Sequence, residues 1–368
     1  MSDRAAQFCR GNGYNGSPLT TTGLLDMEWA IRQHTIEEID AAGLGLVKRK
    51  YSAEELDHIL AVINNWRAAH SFPLNTFQCT LRRKARQVDP NPLIAQRLKR
   101  LSSIYEKLKR MRRLTLSEMQ DIGGCRAIVG SVDHVRQMVD LYKSGDIKHK
   151  LDQENDYIGS PKPSGYRGVH LIYRYFSDRN KTYNGQKIEM QLRSRLQHAW
   201  ATAVETVGAF TRQALKTSQG EKQWLRFFAL MGTDIALREK SAPVPDTPTN
   251  REELRKELRE YAEGLDVEQR LHAFGTAVHA TETAAKDAHY FLLRLDPSTK
   301  QLSIRGYLFA ERDKASSDYL ETERAIQQSG ADAVLVSVES LEALRRAYPN
   351  YFLDTDVFIE LVKKAINE

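Results

Sequence analysis

Between Asp156 and His170 the chain reads Asp-Tyr-Ile-Gly-Ser-Pro-Lys-Pro-Ser-Gly-Tyr-Arg-Gly-Val-His. Pro161 and Pro163 fix φ and remove two backbone donors, so neither a helix nor an inner strand can run through them. The segment is therefore a loop, and the alternating residues Val169–Phe176 behind it form a strand. Glycine lets backbone approach a bound group closely, while Tyr166 supplies a stacking face and Lys162 a charge. Loops of this content hold ligands.

Upstream, Ile94, Leu98, Leu101, Tyr105 and Leu108 step by four and three, which predicts an amphipathic helix over 93–113. Lys99, Ser103, Lys107 and Arg110 share its opposite face, with Arg97 at the border. That face is either a solvated basic surface or a cradle for phosphate oxygens. A short apolar strand is expected at Cys125–Gly130 and a helix at Val132–Lys143. Downstream, Asn184-Gly185 turns a hairpin into the strand Lys187–Arg193. On that strand Glu189, Gln191 and Arg193 alternate with Ile188, Met190 and Leu192. The polar row belongs to a wet edge strand or lines a polar cleft. If the Cys125 strand lies beside it, Asp121 and Glu189 meet, and two carboxylates suit Mg²⁺.

The 368 residues suggest two or three domains, and a 41% hydrophobic content is enough for buried cores. Helices are expected within 26–70, one opened by the Ser52-Ala-Glu-Glu capping pattern, and again over Leu196–Leu215 and Trp224–Arg238. Ser241–Asn250 holds three prolines in ten residues and marks a boundary. The expected division is an extension (1–50, irregular to about residue 25), a main domain (51–240), a linker (241–250) and a C-terminal domain (251–368). In the last, a helical run reaches about His289, then come a hairpin (Tyr290–Leu295 and Leu302–Phe309, turning at Pro297-Ser298), a helix (Ala315–Gln328), a strand (Ala333–Val338) and two helices. Charge divides at the same place: residues 1–240 carry a net +13 and residues 241–368 a net −7. The basic part suits an anionic partner such as a nucleotide or nucleic acid, and Arg82, Arg83 and Lys84 are candidates for RNA contacts. The division also fits two domains that simply differ in isoelectric point. No run of about 18 apolar residues suggests a membrane span, and the odd, scattered Cys9, Cys79 and Cys125 suit a reducing cytoplasm.

In this order the motifs over roughly residues 80–215 resemble the synthetase domain of the RelA/SpoT family of alarmone synthetases. The matching pieces are Arg97-Leu-Lys99 with Ser103-Ile104 and Lys107, Asp121 through Arg126, the Asp156–His170 loop, Ile188-Glu189-Met-Gln191-Leu-Arg193, and His198, Trp200 and Glu205. The resemblance implies an α+β fold, a mixed-sheet nucleotidyltransferase-like domain flanked by helices, here joined to a small C-terminal α/β domain. It implies transfer of the β,γ-pyrophosphate of ATP to a ribose 3′-hydroxyl with Mg²⁺. Arg97, Lys99, Ser103, Lys107 and Arg126 would then bind ATP, and Asp121 and Glu189 the metal, with Glu189 as base. Tyr166, Lys162, His170, Gln191 and Arg193 would bind the acceptor.

No His-Asp hydrolase motif precedes the synthetase motifs, and an acidic domain of another kind follows. This architecture resembles the toxic small alarmone synthetases of the fused toxin–antitoxin, CapRel-like form. That branch implies the CCA-end adenosine of tRNA as acceptor, arrest of translation, and restraint by the C-terminal domain until a phage structural protein is sensed. GDP or GTP is the alternative acceptor, and a catalytically silent nucleotide or RNA sensor is the alternative to an enzyme. Tyr348 and Tyr351, in an aromatic knot near Asp354 and Asp356, either block the ATP site or form the small domain's own core.

Overall fold

The computed structural model describes residues 29–48, 51–145, 147–214, 218–275, 279–283, 287–296, 299, 301–326, 331–338, 340–352 and 355–368. The expectations for residues 1–25, the Pro297-Ser298 turn and Asp354 lie outside these. Two helices open the described chain, α1 (Ile36–Val47) and α2 (Ala53–Ala69), followed by α3 (Ser71–Val88). The capping box at Ser52 forms: its hydroxyl accepts from Glu55 N at 3.1 Å while the Glu55 carboxylate accepts from Ser52 N at 2.7 Å.

The helix expected over 93–113 does not form as one element. Leu93–Leu98 is a strand, β1, and the helix, α4, covers only Leu101–Arg110. Tertiary pairing overrides the helical spacing here. β1 lies between two partners, so Arg97 sits opposite Gly124 on one side and Val336 on the other. Ile94, Ala95 and Gln96 are buried in succession, as expected of a strand covered on both faces. Arg97 and Lys99 therefore do not share a helix face with Ser103 and Lys107.

The chain continues through β2 (Gly123–Val129), α5 (Val132–Lys143), β3 (Lys150–Asp156), β4 (Val169–Arg174), β5 (Lys187–Ser194), α6 (Arg195–Ala214) and α7 (Ser218–Arg238). Sequence periodicity misses β3, whose charged residues pair antiparallel with β4 around a register shift between Leu151 and Gln153. β2 and β5 are parallel neighbours, with Gly124 opposite Glu189. Leu74, Phe77 and Leu81 of α3 pack with Ile188, Met190 and Leu192 in one apolar cluster. By strand alternation Glu189, Gln191 and Arg193 face the other side of the sheet.

Residues 241–250 contain no helix or strand, yet they are packed. Val244 is buried and its N–H donates to the Thr233 hydroxyl, while the Arg167 guanidinium donates to Ala242 O. The helical run expected up to His289 stops earlier. It consists of α8 (Arg251–Gly264) and α9 (Val267–Gly275), then gives way to β6 (His279–Thr283). β7 (Tyr290–Asp296) and β8 (Gln301–Tyr307) pair antiparallel as a hairpin would. α10 (Arg312–Ile326), β9 (Asp332–Ser337), α11 (Leu341–Ala347), α12 (Pro349–Phe352) and α13 (Asp356–Asn367) complete the chain.

The C-terminal strands extend the same sheet. Its order is β3-β4-β5-β2-β1-β9-β7-β8-β6, joined across the boundary where β9 pairs with β1. α13 returns to the main body, and Phe358, Ile359 and Val362 share a core with Trp200, Phe227, Leu230 and Leu258. The proline-rich stretch is thus a boundary in chain path but not in packing. None of the helices among the described residues is long and apolar enough to cross a membrane.

Candidate functional site

The open face of β5 meets the start of β2 and the segment between β1 and α4. Lys99 Nζ lies 2.5 Å from one oxygen of Asp121, and Lys107 Nζ lies 2.9 Å from the other. Lys99 reaches this point because its backbone N–H bonds Ile122 O as β1 ends, and Lys107 arrives from the second turn of α4. Burial on its own would raise the Asp121 carboxyl, but the two ammonium groups outweigh it and hold the pKa at about 2. Burial lowers Lys99, partly offset by Asp121. Ser103 is half-buried on the first turn of α4.

A second group of side chains forms a chain of hydrogen bonds ending on Glu189. Arg193 donates to the Tyr166 hydroxyl at 2.8 Å, and that hydroxyl lies 2.5 Å from His170 Nε2. His170 Nδ1 is 2.8 Å from one Glu189 oxygen, and Gln191 Nε2 donates to the other at 2.8 Å. One set of proton positions satisfies every bond: Tyr166 O–H donates to Nε2, and Nδ1–H donates to the carboxylate. Burial would raise the Glu189 carboxyl; the hydrogen bonds from His170 and Gln191 outweigh this and lower it. Lys162 caps the loop, with Nζ at 4.2 Å from the Tyr157 ring centroid and 5.2 Å from that of Tyr166. Gly165 and Gly168 in this loop both have positive φ (94° and 145°). A side chain at Gly165 would strike Phe228 O at 2.7 Å, so this glycine serves the close packing of the loop on α7 rather than a ligand.

The third group surrounds Arg126 on β2. Its guanidinium lies 5.9 Å from the centroid of the Tyr348 ring, and its Nε is buried without a hydrogen-bond partner. Burial, reinforced by the Arg193 charge, pushes its pKa down to about 10. Tyr348 is itself buried and donates to Gln96 O at 3.3 Å; Tyr351, also buried, accepts from Arg100 at 3.0 Å. Both tyrosines belong to the core cluster between β1 and the C-terminal strands, as the second reading of the aromatic knot has it, and Tyr348 also lies against Arg126.

The structure thus brings Asp121, Lys99 and Lys107 together, joins Glu189 to His170, Tyr166, Gln191 and Arg193, and sets Tyr348 against Arg126. It does not bring Arg82, Arg83 and Lys84 to this face. They lie on α3, whose apolar side covers the opposite face of the sheet, and Lys84 Nζ is engaged by Leu141 O at 2.6 Å. A further element escapes sequence reasoning. Arg67 Nε donates to Lys99 O at 2.9 Å, and its other nitrogens reach Glu323 at 2.7 Å and the Tyr319 hydroxyl at 2.6 Å. Glu323 also accepts from Leu101 N at 2.9 Å. This buried network clamps the backbone on both sides of Arg100, and nothing at 67 or 323 in the sequence points to the other.

Among known proteins, residues 96–210 match the family described as "Region found in RelA / SpoT proteins". The matched region runs from within β1 to within α6. The chain is 34% identical over 119 residues to GTP pyrophosphokinase YjbM of Bacillus subtilis (strain 168), covering 31% of this chain and 54% of that protein. It is 32% identical over 111 residues to GTP pyrophosphokinase YwaC of the same organism, covering 29% of this chain and 52% of that protein. The chain therefore spans about half the length of the curated relatives it matches. A solved GTP pyrophosphokinase family protein from Streptococcus pneumoniae aligns with a TM-score of 0.40 at 24% identity, over 51% of this chain and 92% of that one.

Proposed function

We propose that this chain transfers the β,γ-pyrophosphate of ATP to the 3′-hydroxyl of a purine nucleotide. The observation that carries the reading is the placement of Asp121, clasped by Lys99 and Lys107 just before β2, and of Glu189 near the start of the neighbouring β5. In the reaction the 3′-oxygen attacks the β-phosphorus of ATP, the bond from that phosphorus to the α,β-bridging oxygen breaks, and AMP leaves. Glu189 takes the hydroxyl proton, and Tyr166, Lys162, His170, Gln191 and Arg193 hold the acceptor. Lys99, Lys107, Ser103, Arg97 and Arg126 hold the donor. Such chemistry is mainly positioning and charge neutralisation.

Asp121 and Glu189 also fit a Mg²⁺ ion. They are hard oxygen donors, and no group of three His, Cys, Asp or Glu among the described residues could hold a metal. The ion would therefore share oxygens of ATP and water. When bound it would neutralise developing phosphate charge.

GDP or GTP is the acceptor we favour, because the curated relatives are named GTP pyrophosphokinases. The CCA end of tRNA remains the second reading. Its support is the net +13 of residues 1–240 and the exposed Arg110, Arg112 and Arg113. We also infer restraint by the C-terminal part: Tyr348 takes the place beside Arg126 that an adenine ring would use, since a guanidinium stacks on either ring. Release by an external protein, a phage structural protein in the reading above, would require the tyrosine to withdraw.

The test is incubation with ATP labelled on the γ-phosphate, Mg²⁺ and either GDP or tRNA. Label on GDP supports the favoured acceptor and label on tRNA the second. Transfer to neither, even by a Tyr348→Ala chain, would make the protein a sensor. Glu189→Gln should reduce transfer at least about 100-fold with unchanged melting; an unaltered rate rejects the assigned base.

A further inference from the structure

We propose that Glu323, acting with Arg67, is a positioning residue for the donor side: it fixes the backbone that presents Lys99 and Lys107 to Asp121. The inference rests on the reading of the donor side above and adds to it a residue from the C-terminal part of the chain. Lys99 directly follows β1, and Lys107 stands on α4, which begins two residues later at Leu101. The stretch Lys99-Arg100-Leu101 therefore sets where both ammonium groups point. Lys99 O accepts from Arg67 Nε at 2.9 Å, and Leu101 N donates to Glu323 at 2.9 Å. Between them the Arg100 guanidinium turns to the C-terminal part, where it pairs with Asp332 and donates to the Tyr351 hydroxyl at 3.0 Å.

The N–H groups of a helix's first turn need acceptors from outside the helix. Arg100, at the N-cap of α4, makes no side-chain cap, and the Glu323 carboxylate takes that place from 222 residues away. Its negative charge also suits a helix N-terminus. Each of the five N–H groups of Arg67 has an acceptor: Lys99 O, Asn64 Oδ1, the Tyr319 hydroxyl and the two Glu323 oxygens. The Tyr319 hydroxyl in turn donates to Glu323 at 2.5 Å. A buried network satisfied in this way is rigid. Stability alone does not call for an ion pair here, because apolar residues of similar volume fill a core as well. What apolar residues cannot do is hold Lys99 O and Leu101 N at fixed points. Phosphate transfer is sensitive to such placement, since a shift of about 1 Å can cost about 100-fold.

The C-terminal part thus acts on the donor side from two places. Tyr348, between α11 and α12, lies against Arg126, whereas Glu323 stands on α10. Withdrawal of the tyrosine is separable from loss of the carboxylate, and the active form needs Glu323 in place.

The experiment titrates ATP with Mg²⁺ into the full chain carrying Tyr348→Ala, by calorimetry and without an acceptor. Further changes are added to this parent one at a time, and each protein's urea midpoint is measured. Lys99→Ala should weaken ATP binding at least about tenfold. Arg67→Met/Glu323→Leu, which keeps the core filled, should weaken it to a similar extent while the urea midpoint stays near the parent's. Glu323→Gln keeps an oxygen for Leu101 N but loses the charge; it should lower the urea midpoint and yet bind ATP more tightly than the double variant. In the transfer assay the double variant should raise the KM for ATP and leave that for the acceptor unchanged. Opposite rankings of stability and affinity mark a positioning role, because a residue that only stabilises ranks the variants alike in both. Weakening by Lys99→Ala with parent-like affinity in the double variant overturns the proposal, as does affinity that follows stability. If the parent binds no ATP, or Lys99→Ala changes nothing, the donor side itself is misassigned and the inference falls with it.

Discussion

Replacing Glu323 by alanine tests whether the C-terminal part is fastened to the main body by a buried ion pair. Arg67, Tyr319 and Glu323 are 2%, 3% and 7% exposed, and Glu323 is the only carboxylate within 4.0 Å of the guanidinium among the described residues. Burial works against the Arg67 charge, but Tyr319 and Glu323 outweigh it and raise the pKa; with Glu323 removed the guanidinium still stays charged, because its intrinsic pKa is too high for it to lose a proton. An uncompensated buried charge costs about 3–5 kcal/mol. Leu101 N also loses its acceptor at the start of α4, adding about 1 kcal/mol. The sum, about 4–6 kcal/mol, is a large share of the 5–15 kcal/mol typical of a folded domain. Urea denaturation followed by circular dichroism should show a much lower midpoint. The double variant Arg67→Met/Glu323→Leu should recover most of the loss, because apolar groups of similar volume replace a buried pair at little cost. If Glu323→Ala costs under about 1 kcal/mol, or the double variant is no better than the single, the clasp does not hold the two parts together.

Three further outcomes follow from the same geometry. Asp121, held at about 2 against an ordinary 3.8, contributes about 2 kcal/mol that is present above pH 4 and lost as pH falls from about 4 to 2; Asp121→Asn should flatten the urea midpoint over that window. His70 is pushed down to about 4 by burial, and His198 is held well below 6.5 by burial and by Arg126 and Arg193. Each is neutral when folded and charged when unfolded below pH 6.5, so stability should fall as pH drops from about 6.5, and His198→Leu should reduce that slope. Tyr348→Ala should raise the rate of transfer from ATP and lower its KM if the ring blocks the donor side, at a cost of about 3 kcal/mol in stability; unchanged kinetics in a folded variant reject the block. Truncation after Ala242 is a poorer test, since it would also remove β9 from β1 and α13 from the shared core.

Local pattern made several features readable. The alternation of β5, the Val132–Lys143 helix and the proline-broken loop rest on neighbours within a few residues, and each lies where its periodicity or turn chemistry puts it, whereas Asn184-Gly185 ends a longer connection between β4 and β5 instead of forming a tight turn. The proximity of Asp121 and Glu189 rested on one assumption, that β2 and β5 are neighbours; the register bears out that assumption, and the Asp121 charge acts on the Glu189 carboxyl. The Leu93–Leu98 segment failed for the same reason the others succeeded: its helical spacing is a local signal, and two flanking strands outweigh it. The placement of the basic residues also misled. Arg82, Arg83 and Lys84 look like part of the site in the linear chain, but the sheet stands between them and it.

The amino-acid sequence by itself determined which residue types were available, where the chain must turn, and which strand carries a polar row, because these depend on backbone chemistry over short distances. Only the tertiary structure decided that Lys99 and Lys107 clasp one carboxylate, that Tyr348 lies against Arg126, and that Glu323 reaches Arg67 from 256 residues away. It also decided that the acidic C-terminal part continues the sheet of the basic part. These contacts arise from strand pairing and shared burial between distant segments, and no local propensity encodes which edge of a sheet will be covered.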